Sequence, residues 1–128
     1  NAFSRNMDNE LKKGKKIYFF DLCIRNAMIS RFQFLEIRDD IGALWENFII
    51  SEMMKKNKYE NKKSNFYFWR NTQQAEIDLV EETKDGIIAY ECKYNPNQKA
   101  KFTKSFINAY KPISTDVINQ ENFIDFLQ

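Results

Sequence analysis

The dipeptide Asp85-Gly86 lies between two strand-like runs and constrains the fold of this chain more than any other feature. Glycine accepts positive φ without steric cost, so Asp-Gly closes a tight turn between antiparallel strands. The flanking runs are Ala75 to Glu81 and Ile87 to Tyr94. Side chains along a strand alternate between its faces. In the first run that sets Ile77 and Leu79 on one face and Glu76 and Asp78 on the other. A hairpin in mid-chain commits the molecule to a sheet, and the segments around it decide the class.

Asn65 to Arg70 is dense in aromatic residues and predicts a strand ahead of the hairpin. A polar loop, Asn57 to Ser64, separates it from the clearest helix, about 40–56. Ile41, Leu44, Trp45, Phe48, Ile49 and Met53 recur there at helical spacing and form one apolar stripe. Asp39 and Asp40 suit its N-cap, and Lys55 and Lys56 its negative end. After the hairpin, Asn95-Pro96-Asn97 stops the third strand. A second helix is expected over about 98–110, with Phe102, Phe106, Ala109 and Tyr110 on one side and Pro112 beyond its end. Thr115 to Asn119 reads as a last strand, and Phe123, Phe126 and Leu127 as a short terminal helix. Residues 39–128 thus form a core of helix, three strands, helix and strand around one mixed sheet, an α/β pattern. Residues 1–38 read as an extension: a lysine-rich lead-in to about residue 15, a buried strand over about 16–20, a short helix through Asn26-Ala27-Met28 capped by Asp21, and an ambiguous stretch over 31–38.

A chain of 128 residues closes one domain, and with 43% hydrophobic and 16% aromatic residues global disorder is excluded. Histidine is absent, which excludes Ser-His-Asp triads and Cys-His dyads and leaves acid–base or metal chemistry to carboxylates, lysines, tyrosines and water. A net charge of +2 does not announce a nucleic-acid binder, so a basic surface must come from local clusters. Those are Lys12, Lys13, Lys15 and Lys16; Lys55, Lys56 and Lys58 with Lys62 and Lys63; and Lys99, Lys101 and Lys104. Cys23 and Cys92 stand among apolar neighbours and point to reduced thiols in a cytoplasmic protein. No apolar run approaches the roughly 18 to 20 residues a membrane helix needs, and no signal peptide is evident. Asn1-Ala2, without Met, fits an expression-tag scar.

Chemistry concentrates on the hairpin. Glu91 and Lys93 share one face of the third strand with the small Ala89, while Tyr90, Cys92 and Tyr94 point the other way. Asp78 lies on the neighbouring strand, within reach of Glu91. Adjacent carboxylates need a proton, a lysine or a cation between them. Oxygen ligands suit Mg²⁺ or Mn²⁺, and a lysine beside them neutralises charge or positions a water. Those are the parts of metal-assisted phosphodiester hydrolysis. Glu46 lies at the edge of the helix's apolar stripe, where burial demands a lysine, backbone donors or a metal-bound water. The same pattern also fits a solvated sheet face laced by cross-strand ion pairs.

The blocks Lys16-Ile17-Tyr18-Phe19-Phe20-Asp21-Leu22, Asp40-Ile41-Gly42-Ala43-Leu44-Trp45-Glu46-Asn47-Phe48-Ile49, Tyr67-Phe68-Trp69-Arg70, Glu76-Ile77-Asp78-Leu79-Val80 and Tyr90-Glu91-Cys92-Lys93 resemble the DUF4143 domain, and their order resembles the PD-(D/E)XK nuclease superfamily, a restriction-endonuclease-like core. DUF4143 domains typically follow an AAA+-type ATPase module in prokaryotic proteins. The resemblance implies a nuclease-like domain acting on DNA, or a catalytically inactive module that binds nucleic acid or protein for the ATPase. It further implies that Asp78 and Glu91, with the Cys92 backbone carbonyl, hold Mg²⁺ or Mn²⁺. Lys93 would orient water or steady the transition state, and Glu46 would bind a second cation or a water. Glu76 would support the same face, and Trp69 and Arg70 would contact phosphate or base. The chain has no G-x-x-x-x-G-K-[ST] phosphate loop, so it offers no ATP site by that route.

Overall fold

The hairpin closes where the Asp-Gly signal sets it. In the computed structural model, which describes residues 15–128, β2 (Glu76–Glu82) and β3 (Ile87–Cys92) pair antiparallel, with Leu79 opposite Tyr90 and Glu82 opposite Ile87. Gly86 takes φ 146°, and the Thr83 N–H donates to the Gly86 carbonyl at 2.9 Å to close the turn. β1 (Asn65–Arg70) lies antiparallel on the other side of β2, and β4 (Ser114–Ile118) runs parallel to β3, giving the order β1-β2-β3-β4. The domain is therefore a small α/β unit with one mixed four-stranded sheet: helix, three antiparallel strands, helix, strand.

A short helix, α1 (Leu22–Met28), precedes the core, and the long helix α2 (Ile41–Tyr59) covers one face of the sheet. Of the expected stripe Trp45, Ile49 and Met53 enter the core with Phe48 at its edge, and Ile50, outside that stripe, joins them. Trp45, Ile49, Ile50 and Met53 meet Leu79, Tyr90, Cys92 and Ile118, and the Trp45 indole N–H reaches the Ile118 carbonyl at 3.3 Å. Ile49 and Ile50 are essentially inaccessible, each contributing roughly 1.5–3 kcal/mol by burial. On the opposite face Trp69, Ile77, Val80, Ala89 and Phe106 form a second core beneath α3 (Lys104–Tyr110). The last helix, α4 (Phe123–Leu127), returns to the first core, where Phe123 stacks edge-on against Trp45.

Several expectations change. α2 runs three residues past the expected end. Asp40 occupies its N-cap without a capping bond, because Arg38 (2.8 and 2.9 Å) and Arg25 (3.1 Å) take its carboxylate. The Arg38 hydrogen bonds hold Asp40 down to about 2. α3 starts six residues later than expected, at the Thr103 cap, whose hydroxyl accepts from the Phe106 N–H. Ala109 faces solvent, and Ile107 packs on the second core in its place. Residues 16–20 join no sheet, and Ile17 and Phe20 are exposed, so the buried strand expected there is absent. Asp21 caps α1 by accepting from the Cys23 N–H at 2.7 Å, and the ambiguous stretch holds one 3₁₀ turn at Leu35–Ile37. The lysine-rich lead-in, Lys12, Lys13 and the Asn1-Ala2 pair lie outside the described residues. No helix among the described residues is long and apolar enough to cross a membrane.

Candidate functional site

β2 does not alternate as its sequence suggests. Tyr67 pairs with Val80, yet Trp69 pairs with Ile77, so Asp78 and Leu79 together stand opposite the single Phe68. That is a bulge, and it resets the faces. Ile77 joins Val80 in the second core and Leu79 points into the first, which corrects the expectation that Ile77 and Leu79 share a face. The β2–β3 ladder also ends here, at Leu79 opposite Tyr90. Continuing that register by one residue sets Asp78 across from Glu91. Cys92 has the same parity as Tyr90, so its N–H is directed at β2 with no ladder carbonyl to meet. The Asp78 carboxylate takes that N–H at 2.9 Å.

β3 alternates as expected: Tyr90 and Cys92 enter the first core and Ala89 the second. Glu91 is buried, at 5% exposure, and pairs with the Lys93 ammonium at 2.8 Å. Burial, then the carboxylates of Glu46 and Glu91, push Asp78 up to about 7. Burial and the same carboxyl groups push the Cys92 thiol well up, so it stays protonated. Burial works against the Lys93 ammonium, but the Glu91 hydrogen bond together with the charges of Glu91 and Asp78 outweighs it and raises the pKa, so Lys93 is a cation and no general base.

Glu46 was expected to face a lysine, backbone donors or a bound water, and it meets two side-chain donors. Lys16 Nζ lies 2.9 Å and Tyr18 Oη 2.8 Å from Glu46 Oε1. Lys16 also pairs with Glu76 Oε1, and Arg70 closes on Glu76 Oε2 at 2.6 and 3.1 Å. Burial disfavours the Lys16 charge, yet Glu76 and Glu46 raise its pKa, so it too remains an ammonium. Burial followed by Glu46 drives Tyr18 far above the usual phenol range. Trp69 is not available to stack on a base, being buried against Phe106 at a ring separation of 5.2 Å.

The structure thus brings Glu46, Glu76, Asp78, Glu91 and Lys93 into one electrostatically linked group, with Arg70 at its exposed margin. Sequence reasoning placed Lys16 in a basic surface cluster and Tyr18 in a buried strand, and gave neither of them, nor Asn47, a part in this site. Asn47 is buried and bonds both backbone groups of Phe19, receiving its N–H at 2.8 Å and donating to its carbonyl at 2.7 Å. The available signal was Glu46 itself, a partly buried acid that needed a donor from elsewhere in the chain.

As for a cation, Asp78 and Glu91 each keep one carboxylate oxygen without a protein donor among the described residues, beside the Cys92 backbone. These are hard oxygen donors, the type Mg²⁺ and Mn²⁺ prefer. No three His, Cys, Asp or Glu side chains among the described residues stand close enough to enclose an ion unaided, so water would complete its shell.

Of the basic clusters, Lys16 is turned inward, Lys55 pairs with Glu52, Lys56 binds the carbonyls of Phe126 and Gln128, and Lys62 pairs with Glu60. Comparison with known proteins gives one family. Its model, described as "Domain of unknown function (DUF4143)", matches residues 41–125, more than half of the chain. No curated protein and no solved structure matches.

Proposed function

The chain belongs to the DUF4143 family, and we propose that this domain is a divalent-metal-dependent phosphodiester hydrolase of the PD-(D/E)XK type, acting on DNA within a parent chain that carries an AAA+-type ATPase. The observation that supports it is the coincidence at Asp78 of the β2 bulge and the end of the β2–β3 ladder. That gap leaves the Asp78 carboxylate on the Cys92 N–H, one residue along β3 from the Glu91–Lys93 pair. The element order, helix, three strands, helix, strand, fits the same reading.

In this reading Asp78, Glu91 and the Cys92 carbonyl hold Mg²⁺ or Mn²⁺. Bound there, the ion would lower the pKa of a water and offset charge developing at phosphorus. Lys93 stays charged and supplies a donor to the oxygen that gains charge. Glu91 fixes where that ammonium stands, through their 2.8 Å pair. Arg70, exposed at the margin, is positioned to meet a phosphate.

A second reading, a catalytically silent binding module, is favoured by one observation. Lys16 and Arg70 already neutralise Glu46 and Glu76. The deciding experiment is calorimetric titration of Mn²⁺ and Mg²⁺ into the wild type, Asp78→Asn and Glu91→Gln, followed by incubation with single- and double-stranded DNA. Binding and cleavage that vanish together in both variants support the hydrolase. Metal binding without cleavage selects the silent module, and a folded wild type that binds neither ion sinks the metal-dependent reading. DNA contact through lysines predicts affinity that falls steeply with salt, on a log–log slope of roughly −0.9 per phosphate neutralised on duplex DNA.

A further inference from the structure

The four carboxylates of the site divide into two halves of unlike charge. Glu46 and Glu76 face Lys16 and Arg70, so that half is formally neutral. Among the described residues Asp78 and Glu91 face only Lys93, which leaves one negative charge in excess there whenever both are ionised. Oxygen occupancy divides them less cleanly, since Glu46 Oε2 also has no protein donor among the described residues. Glu46 Oε1 receives both Lys16 and Tyr18, and both oxygens of Glu76 receive cations. One oxygen each of Asp78 and Glu91 has no protein donor among the described residues.

The lysine responsible is fixed by backbone geometry. Asn47, next to Glu46 on α2, grips Phe19 through both its N–H and its carbonyl, much as a neighbouring strand would. With Phe19 held, Tyr18 and Lys16 both reach Glu46. The Lys16 ammonium also lies 5.5 Å from the centre of the Phe68 ring, opposite the bulge. An ammonium with two carboxylates and an aromatic face around it is bound as an ion would be bound.

We propose that Lys16 is a tethered internal cation occupying the Glu46–Glu76 half of the site, so that the folded domain takes up a single divalent ion, at Asp78 and Glu91, and admits a second only when Lys16 is removed. This rests on the metal-dependent reading above. It replaces the expectation that Glu46 binds a second cation with a specific exchange: one monovalent group leaves before one divalent ion enters. A lysine present only to pin residues 16–20 would affect stability and leave the number of bound ions unchanged.

The test is Mn²⁺ titration of wild type, Lys16→Met, Lys16→Arg and the double variant Lys16→Met/Glu46→Gln, with folding checked by circular dichroism. The expected result is one ion for wild type and for Lys16→Arg, which restores the positive charge. Lys16→Met gains a second ion, and Glu46→Gln removes it again. Should Lys16→Met fail to fold, Lys16→Gln, which keeps a donor to Glu46 without the charge, carries the test. Two ions in wild type, or one ion in every variant, overturns the proposal while leaving the metal-dependent reading intact. No ion in any folded variant removes both.

Discussion

At the scale of single residues, Asp78 makes the protein's stability depend on pH in a direction opposite to that of most carboxylates. In the metal-free protein, burial and the neighbouring Glu46 and Glu91 push it up to about 7, against an ordinary value of 3.8. Between those two values the folded chain holds a proton that the unfolded chain has released. Stability therefore falls as pH rises from about 4 to about 7, and is flat on either side. The full effect is on the order of 4 kcal/mol. Asp78→Asn keeps an acceptor for the Cys92 N–H and removes the titration. In thermal melts with a chelator present, the variant should be more stable than wild type at pH 8, by up to a few kcal/mol. Its midpoint should also vary less between pH 5 and pH 8. A variant no more stable than wild type at pH 8 rules out Asp78 as a strained charge. If the gain in stability comes with loss of Mn²⁺ binding, the strain is the mark of a functional site.

At the scale of elements, the hairpin turn yields the sharpest test. A Cβ on Gly86 would stand 2.8 Å from Ile113 Cγ2, and φ of 146° is closed to L side chains in any case. Gly86→Ala should destabilise by about 1–3 kcal/mol, read in urea melts. Ile113 is exposed, so its side chain has room to yield. Adding Ile113→Ala should therefore restore the steric part and leave the backbone part; full recovery would show that φ carries none of the cost. This turn was legible because two adjacent residue types specify it locally. The α2 stripe was legible for a related reason, since one helix face repeats the same demand over five turns. The bulge at Asp78 was not, because it exists only relative to the partner strand: nothing in Glu76-Ile77-Asp78-Leu79 says that Phe68 will face two residues. The strap at residues 16–20 misled for the opposite reason. Ile17, Tyr18, Phe19 and Phe20 carry strand-like composition, but Asn47 supplies both backbone partners and no strand needs to. The candidate site was thus half readable. Its β3 residues followed strict alternation, while Lys16 and Tyr18 come from a segment whose docking is set by tertiary contact.

At the scale of the whole molecule, the sheet separates two cores and the acidic group lies where the β2–β3 ladder ends beside the bulge. Ile49, under α2, belongs to one core, and Phe106, from α3, to the other; both are fully buried. The two clusters share no buried residue, and the sheet itself lies between them. Substitutions with no common partner normally add. Ile49→Val removes one methyl group and should destabilise by about 0.5–1.5 kcal/mol. Phe106→Leu loses the ring contacts with Trp69 and Tyr110 and should destabilise by more. In urea melts the double variant should equal the sum of the singles to within about 0.5 kcal/mol. A coupling above about 1 kcal/mol would mean that the strands transmit repacking from one face to the other. The connection nearest to hand would be the bulge, which turns Ile77 to one core and Leu79 to the other within three residues. In that case either core variant should also weaken the proposed Mn²⁺ binding at Asp78, which sits between those two side chains. Additive stability with unchanged Mn²⁺ affinity would leave the site insulated from both cores, held in place by β2 and β3 alone.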